Sequence, residues 1–202
     1  MNKTTISKAT LGRLPLYIQY LQSISDVNTS ATNIAKALQL GEVQVRKDLN
    51  SVSGAGKPRV GYEVLELINK LQDVLSICEP EDAVIVGAGK LGKALLDFNE
   101  LKHYGVKISA AFDINSEKCR KTSSGKKILL MDDFRNYCAD NNIRIGIITV
   151  PKNVAQNVCD MMVSCGIIGI LNFAPTNLIV PPNVVVEQEN LALSLAYLKM
   201  QI

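Results

Sequence analysis

Hydrophobic positions in the first quarter of the chain recur three or four residues apart, which is helical spacing. Apolar residues from Leu11 to Ile24 share one face, and we expect Pro15 to be tolerated in the first turn of this helix. A short second helix is predicted over residues 31–38, capped by a serine, and a third over residues 42–52. The short break between the last two is typical of a helix-turn-helix.

The third predicted helix has an apolar and a polar face. Val45, Leu49 and Val52 fall at i, i+4 and i+7 and are expected to face the core. Its other face carries Gln44, Arg46, Lys47 and Asn50. A Gly-rich segment containing Lys57 and Arg59 then predicts an exposed turn or wing, and a fourth amphipathic helix is predicted over residues 63–75. This order of elements predicts a winged helix.

From Ala83 onward, short apolar runs alternate with amphipathic stretches. The runs predict strands over residues 83–86, 106–112, 127–131, 143–150, 167–173 and 184–187. The stretches between them predict helices from the glycine loop to about Leu101, over 132–140 and over 153–165. This alternation of strands and helices predicts a parallel, doubly wound sheet.

A final helix is expected over residues 190–202. Leu191, Leu195 and Leu198 lie at helical spacing there, with no later element to cover them. A partner subunit is therefore expected to pack on this helix.

Composition excludes several classes of protein. Hydrophobic residues make up 47% of the 202 residues and charged residues 20%, as in a packed globular protein. Apolar runs are too short to span a bilayer, and the N-terminus lacks the apolar core of a signal peptide. Five cysteines without a CxxC pair suit reduced thiols better than disulfides or a metal site. These features predict a cytoplasmic protein without a bound metal.

Charge is distributed unevenly along the chain. Residues 1–60 contain eight Lys/Arg and three Asp/Glu, a net charge of +5, whereas residues 61–202 contain fourteen and sixteen, a net charge of −2. A basic first segment suggests a polyanionic partner. Arg46 suits a guanine edge and Lys47 a phosphate, while Lys57 and Arg59 suit the minor groove or backbone. The predicted DNA-binding set is therefore Gln44, Arg46, Lys47, Asn50, Lys57 and Arg59, with an ordinary solvated surface as the alternative.

A glycine-rich motif between a predicted strand and a predicted helix carries the chemistry of the second half. It is a GxGxxG made of Gly87, Ala88, Gly89, Lys90, Leu91 and Gly92. In this context the glycines permit a tight turn, close approach of a pyrophosphate and close packing of helix on strand. Asp113 follows Gly92 by 21 residues, at the end of the second strand, where a carboxylate binds the ribose hydroxyls of NAD. A nucleotide-free glycine turn is the alternative.

Two further loops follow predicted strands at the edge where doubly wound sheets bind ligands. The cofactor-binding candidates in these loops are Thr149, Val150, Pro151, Asn172, Phe173 and Ala174. Ordinary loops shaped by their prolines are equally compatible with the pattern. Together with the glycine motif and Asp113, these loops predict an NAD(H) site.

Candidate catalytic residues are lacking. The single histidine, His103, does not follow a strand, and the sequence contains no Ser/His/Asp order, HExxH or paired carboxylates. We therefore predict that the protein is not an enzyme and has no catalytic residues. A nicotinamide- or CoA-dependent enzyme with an accessory N-terminal domain stays as the alternative.

These elements define an α/β protein of three parts. We predict an N-terminal winged-helix DNA-binding domain over residues 1–80 and a doubly wound parallel-sheet (Rossmann) domain over residues 81–188. A C-terminal dimerisation helix follows over residues 189–202. The boundary between the two domains is expected in Ser76–Asp82, where Pro80 lies among acidic residues.

The whole chain resembles the bacterial redox-sensing transcriptional repressors of the Rex family. The matching stretches are KATLGRLPLY (8–17), VQVRKDL (43–49), VGYEV (60–64), VGAGKLGKAL (86–95), AAFD (110–113), VP (150–151) and ILNFAP (170–175). The resemblance implies a homodimer that binds double-stranded, palindromic operator DNA and senses NADH against NAD+. It also implies that the terminal helix is exchanged between subunits, near the partner's DNA-binding domain.

The chain departs from the family pattern in several places. Ser51–Arg59 differs from the family's usual sequence after the recognition helix and in the wing. The family's tyrosine near the nicotinamide corresponds to Phe98, and its aspartate near the terminal helix to Glu189. A phenylalanine lacks the hydroxyl, so the hydrogen bond by which family members sense NADH cannot form in the same way. The resemblance therefore implies that discrimination of NADH is either weaker or made by other contacts.

Overall fold

The computed structural model describes residues 6–75, 81–119 and 125–202, except for the side chain of His103. It divides into two compact units: Met1–Glu79 with His103–Gly105, and Pro80–Lys102 with Val106–Ile202. Most of the predicted boundary segment, residues 76–80, lies outside the described residues, as does the side chain of His103. The domain limits proposed from the sequence therefore stay a prediction.

The first unit is a winged helix, as predicted. Its elements are α1 (Lys8–Ser23), β1 (Asn28–Thr29), α2 (Ala31–Ala37), α3 (Glu42–Ser53), β2 (Tyr62–Glu63) and α4 (Val64–Leu75). Strands β1 and β2 pair antiparallel, a feature too short for the hydrophobic pattern to indicate. The four helices share one core, which includes Leu14, Leu21, Ile34, Val45, Leu49, Leu67 and Leu71.

The first helix begins earlier than predicted, and this corrects the interpretation of Pro15. Helix α1 starts at Lys8, because the Ser7 hydroxyl caps it by accepting a hydrogen bond from the backbone N–H of Thr10 at 3.1 Å. Pro15 therefore lies inside the helix and not in its first turn. A proline there has no N–H to donate, so one backbone bond of the helix is missing.

The second unit is a six-stranded sheet with the order β5-β4-β3-β6-β7-β8, and all of its pairs are parallel. The elements are β3 (Glu81–Val86), α5 (Lys90–Asp97), β4 (Val106–Asp113), β5 (Lys127–Leu130), α6 (Phe134–Asp140), β6 (Ile145–Ile148), α7 (Lys152–Ser164), β7 (Gly169–Asn172), β8 (Val185–Gln188) and α8 (Leu191–Met200). The chain first builds β3, β4 and β5 and then returns to β6 beside β3. This reversal creates a crevice at the carboxyl ends of β3 and β6.

Both faces of the sheet are buried, which confirms the doubly wound arrangement. Alternate residues of β3 pack on opposite sides: Val84 and Val86 join one apolar cluster, and Ala83 and Ile85 join the other. Within the first cluster, the rings of Phe112 and Phe134 pack edge to face, with their centroids 4.9 Å apart. Helices on both faces explain why these strands are almost entirely apolar in sequence.

Some predicted boundaries in this unit are wrong. The helix after the glycine loop ends at Asp97 instead of Leu101, because Phe98 has an extended backbone (φ −76°, ψ 101°); a separate 3-10 turn follows over Glu100–Tyr104. Strand β6 covers only Ile145–Ile148, since β3 and β7 each offer it just four partner residues.

Helix α8 has no buried residue in the isolated chain, although it is rich in leucine. Among the helices that the structure describes, none is long and apolar enough to span a bilayer.

Candidate functional site

The glycine loop between β3 and α5 has the backbone geometry of an anion cradle. Gly87 has φ +106°, and a Cβ atom there would lie 2.9 Å from the backbone carbonyl of Thr149. A Cβ on Gly92 would collide with the carbonyl oxygen of Gly87, so helix and strand approach closely. At Gly89 no atom lies within 4 Å of the Cβ position. The loop is therefore closely packed at Gly87 and Gly92 and open at Gly89. On this open side it presents the N-terminus of α5 to a ligand.

Thr149 fixes the position of the glycine loop from the neighbouring strand. Its hydroxyl donates to the carbonyl oxygen of Gly87 at 2.7 Å, with a longer approach to that of Val86 at 3.2 Å. The backbone N–H of Thr149 also binds the carbonyl of Val86 at 3.0 Å. Thr149 thus joins the ends of β3 and β6, the two strands that border the crevice.

Asp113 is a buried carboxylate at the end of β4, only 6% exposed. Its Oδ2 accepts the backbone N–H of Ala88 at 2.8 Å, and its Oδ1 accepts that of Asn115 at 2.9 Å. Burial favours the neutral acid, but Lys118 and these two N–H groups outweigh it and lower the pKa of Asp113. The carboxylate is therefore charged at neutral pH and tied directly to the glycine motif.

These groups border a cleft of about 840 Å³. Six of the predicted cofactor residues line it: Gly87, Gly89, Asp113, Thr149, Val150 and Pro151. Its apolar wall comes from one face of α7, with Val154, Val158 and Met161 at i, i+4 and i+7. The sequence predicted this helix but not which of its faces would line a cleft. Gly92 and Ala88 are buried behind the loop, while Lys90 and Leu91 are exposed outside the cleft lining.

The structure does not bring Asn172, Phe173 or Ala174 into this cleft lining. The buried amide of Asn172 donates to the carbonyl of Thr176 at 2.9 Å and to Oε1 of Gln188 at 2.7 Å, and its oxygen accepts the N–H of Ala174 at 3.0 Å. Asn172 therefore organises its own loop against the end of β8. A direct contact of this loop with a cofactor stays a prediction.

In the first unit, the structure exposes every residue of the predicted DNA-binding set. Gln44, Arg46, Lys47 and Asn50 lie on the outer face of α3. Lys57 and Gly61 exchange backbone hydrogen bonds of 2.8 Å, which closes a short hairpin, and Arg59 projects from its turn with φ +63°. The side chains of all six residues are thus open to solvent.

An acidic residue that the hydrophobic pattern does not identify holds α3 against α1. Asp48, 5% exposed, accepts hydrogen bonds from the Arg13 guanidinium at 2.7 and 2.9 Å and from the Tyr17 hydroxyl at 2.6 Å. The Thr10 hydroxyl donates a fourth hydrogen bond, at 3.0 Å. Burial alone would raise the pKa of Asp48, but these donors lower it; burial and Asp48 raise the pKa of Tyr17 to about 12. An acid on an otherwise apolar helical face was the available sequence signal.

In the part of the chain that the structure describes, no group of three His, Cys, Asp or Glu side chains is arranged to hold a metal ion.

Comparison with protein families gives two matches that follow the two units. Residues 5–50 match a family described as a putative DNA-binding protein N-terminus. Residues 79–176 match the CoA binding domain family. The chain is also 36% identical to the redox-sensing transcriptional repressor Rex of Lactobacillus acidophilus over 198 residues, which covers 96% of this chain and 94% of that protein.

Two solved structures of a protein called RSP, described as a Rex-family repressor, share the fold over almost the whole chain. RSP in complex with β-NAD+ and operator DNA superposes with a TM-score of 0.85 at 31% identity, covering 98% of this chain and 93% of RSP. RSP in complex with β-NADH also gives a TM-score of 0.85 at 31% identity, covering 98% and 94%.

Proposed function

This chain belongs to the Rex family of redox-sensing transcriptional repressors, and from that premise we propose that its affinity for operator DNA falls when NADH binds. One observation carries the proposal. The same chain exposes Arg46 and Lys47 on α3 and two further cations on the wing of its first unit, and it builds a glycine loop with a charged carboxylate in its second. A repressor of this kind acts where the DNA is, which in a bacterium is the cytoplasm.

The residues of the cleft fit NAD(H). The open backbone at Gly89 and the N-terminus of α5 suit the pyrophosphate, because N–H groups and the helix dipole both favour an anion there. The Asp113 carboxylate suits ribose hydroxyls, which donate hydrogen bonds to it. Thr149 holds the loop in place, and the apolar face of α7 excludes water from one wall. When bound, the nicotinamide reports the redox state by its charge and shape, without reacting.

Regulation then follows from linkage between two sites. NADH lowers operator affinity only if it binds the DNA-incompetent form of the protein more tightly than the competent form. Thermodynamic reciprocity requires operator DNA to weaken NADH binding by the same factor. A coupling of 1–3 kcal/mol, typical of allosteric proteins, corresponds to about 5- to 150-fold.

A paired titration tests this function. We expect NADH to raise the apparent Kd for a palindromic operator, and saturating operator to raise the Kd for NADH by an equal factor. Gel shift and calorimetry, each run with NADH and with NAD+, measure the two factors. Tight nucleotide and operator binding with both factors equal to one would show a repressor without redox sensing. Absence of any operator binding would contradict the proposal altogether.

Arg46 and Lys47 are expected to contribute differently to DNA binding. Arg46→Ala should weaken binding to the cognate site by about 1–3 kcal/mol and relax specificity at one base pair, because a guanidinium can read a guanine edge. Lys47→Ala should weaken binding to all DNA sequences alike and should make the affinity less dependent on salt concentration, because phosphate contacts release counterions. Binding series over several salt concentrations separate these effects. Equal, sequence-independent losses for both variants would show that Arg46 does not read a base.

We further propose a homodimer formed through α8. Leu191, Leu195 and Leu198 are 62%, 67% and 55% exposed, and Leu193 on another side of the same helix is 65% exposed. A helix that exposes leucines on more than one side leaves apolar surface in water unless another surface covers it. A second copy would cover it, and a two-fold dimer matches a palindromic operator.

A nicotinamide- or CoA-dependent enzyme is the second candidate, favoured by the match to the CoA binding domain family. Coenzyme A carries a 3′-phosphate on its ribose in place of a hydroxyl, so it offers the Asp113 carboxylate one hydrogen-bond donor fewer than NAD does. The described lining of the cleft also contains no histidine, cysteine or glutamate, and its only acid is Asp113. We therefore propose that the protein binds its nucleotide as a signal and is not an enzyme.

A further inference from the structure

Lys118 is bound to the carboxylate that the proposed nucleotide site uses for ribose. It ends a 3-10 turn over Ser116–Lys118, five residues after Asp113. Its Nζ lies 2.8 Å from Oδ2 of Asp113, and its side chain is 36% exposed whereas that of Asp113 is 7% exposed. Lys118 also lines the cleft. An ammonium group therefore stands at the cleft surface, directly in front of the buried acid.

The hydrogen bonds of Asp113 leave little room for a ribose. A carboxylate has about four lone-pair positions. Oδ2 accepts from Ala88 N–H and Lys118 Nζ, both at 2.8 Å, and Oδ1 accepts from Asn115 N–H at 2.9 Å. One position remains, whereas the adenosine ribose of NAD has two adjacent hydroxyls to donate. The two backbone donors are fixed by the fold, so Lys118 is the donor that can move aside.

The charge of the site also indicates a role for Lys118. A carboxylate rejects a 2′-phosphate by repulsion, but Asp113 and Lys118 together have no net charge, which weakens that repulsion. A partly exposed ammonium on a flexible stem can instead turn to a phosphate and pair with it. The pair thus offers a hydroxyl-binding partner and a phosphate-binding partner at one point.

We propose that Lys118 sets how strictly this site distinguishes a ribose diol from a ribose phosphate, and so NAD(H) from NADP(H). It competes with the diol for Asp113 and supplies the charge that tolerates a 2′-phosphate. The inference rests on the proposed nucleotide-binding function. The site is less selective than a lone aspartate would make it, and removal of Lys118 sharpens its preference.

The test compares Kd values for NADH and NADPH by calorimetry in four proteins: wild type, Lys118→Met, Asp113→Asn and the double variant. Lys118→Met should raise the ratio of the NADPH Kd to the NADH Kd by about tenfold, because the ammonium no longer offsets the repulsion between the Asp113 carboxylate and the 2′-phosphate. Asp113→Asn should lower that ratio by about tenfold, since Lys118 is then free for the phosphate. The double variant should bind both nucleotides weakly and with similar Kd values.

Controls separate this role from a structural one. Lys127→Met removes the charge of an exposed lysine that is outside the cleft lining and should leave the ratio unchanged. Lys118→Arg keeps the charge and should keep the wild-type ratio within about threefold. If Lys118 merely held its turn in place, Lys118→Met would raise the Kd values for NADH and NADPH by the same factor. An unchanged ratio would therefore overturn the inference, whereas a wild-type protein that binds neither nucleotide would overturn the proposed function instead.

Discussion

Ending the chain after Gln188 is expected to abolish the dimer and weaken operator binding by about a hundredfold or more. Joining two half-site contacts in one molecule raises overall affinity by about 10²–10⁴, and a monomer loses that gain. The cut removes all of α8 but keeps Gln188, whose side chain bonds the loop at Asn172. Nucleotide binding should partly survive, because the glycine loop and Asp113 lie within one chain. Sedimentation, operator titration and NADH titration measure the three properties.

Two point variants test the same prediction if the shortened chain does not fold or aggregates. Leu195→Glu places a charge on an exposed apolar position of α8 and should also break the dimer. Lys199→Ala changes an exposed polar residue on the same helix and should leave it intact. A shortened protein that remains dimeric and still releases operator DNA when NADH is added would refute the role of α8.

Replacing Asp48 by alanine is expected to destabilise the first unit by about 3 kcal/mol, the low end of the effect of removing one partner of a buried ion pair, because the Arg13 side chain is partly exposed. The change leaves Arg13 without its carboxylate and Tyr17 with an unsatisfied buried hydroxyl. Helix α3 then loses its polar attachment to α1, and operator binding should fall although Asp48 lies on the buried face of α3. NADH binding should be unchanged, because the cleft belongs to the other unit.

Hydrogen exchange followed by mass spectrometry measures this effect unit by unit. In Asp48→Ala, exchange should accelerate in peptides from α1 and α3 and stay as in wild type in those from β3 and β6. Asp26→Ala removes the same charge from an exposed position of the same unit and serves as the matched control. The prediction would be contradicted if exchange became faster throughout both units, or if it became faster in neither.

The Asp48 network also predicts how stability depends on pH. The folded state lowers the pKa of Asp48, so its contribution to stability is fully present above the unfolded value of about 3.9. It is lost as the pH falls from that value through the lower folded one. The stability advantage of wild type over Asp48→Asn should therefore be large at neutral pH and shrink in strong acid. Urea unfolding of both proteins across this range provides the measurement, and a constant advantage would argue against an ionised Asp48.

The order of the longer helices and of the six sheet strands could be predicted from the sequence, because hydrophobic period is a local property of the chain. Helical spacing defined the winged helix, and apolar runs between amphipathic stretches defined the parallel sheet. Gly87, Gly92 and Asp113 were likewise recognisable, since a tight turn, a close packing and an acid after the second strand each leave a residue type at a set position. The outward face of α3 followed from the spacing of Val45 and Leu49.

Contacts between residues far apart in sequence could not be predicted, because they depend on how the elements pack. Arg13 and Asp48 are separated by 35 residues, and only the packing of α1 on α3 brings them together. The wall formed by α7 and the closing of the Asn172 loop on Gln188 depend in the same way on how strands and helices meet. Lys118 is close to Asp113 in sequence, but only the turn that follows β4 directs its ammonium to the carboxylate. Periodicity specifies which face of an element is buried, whereas its partner depends on the whole fold.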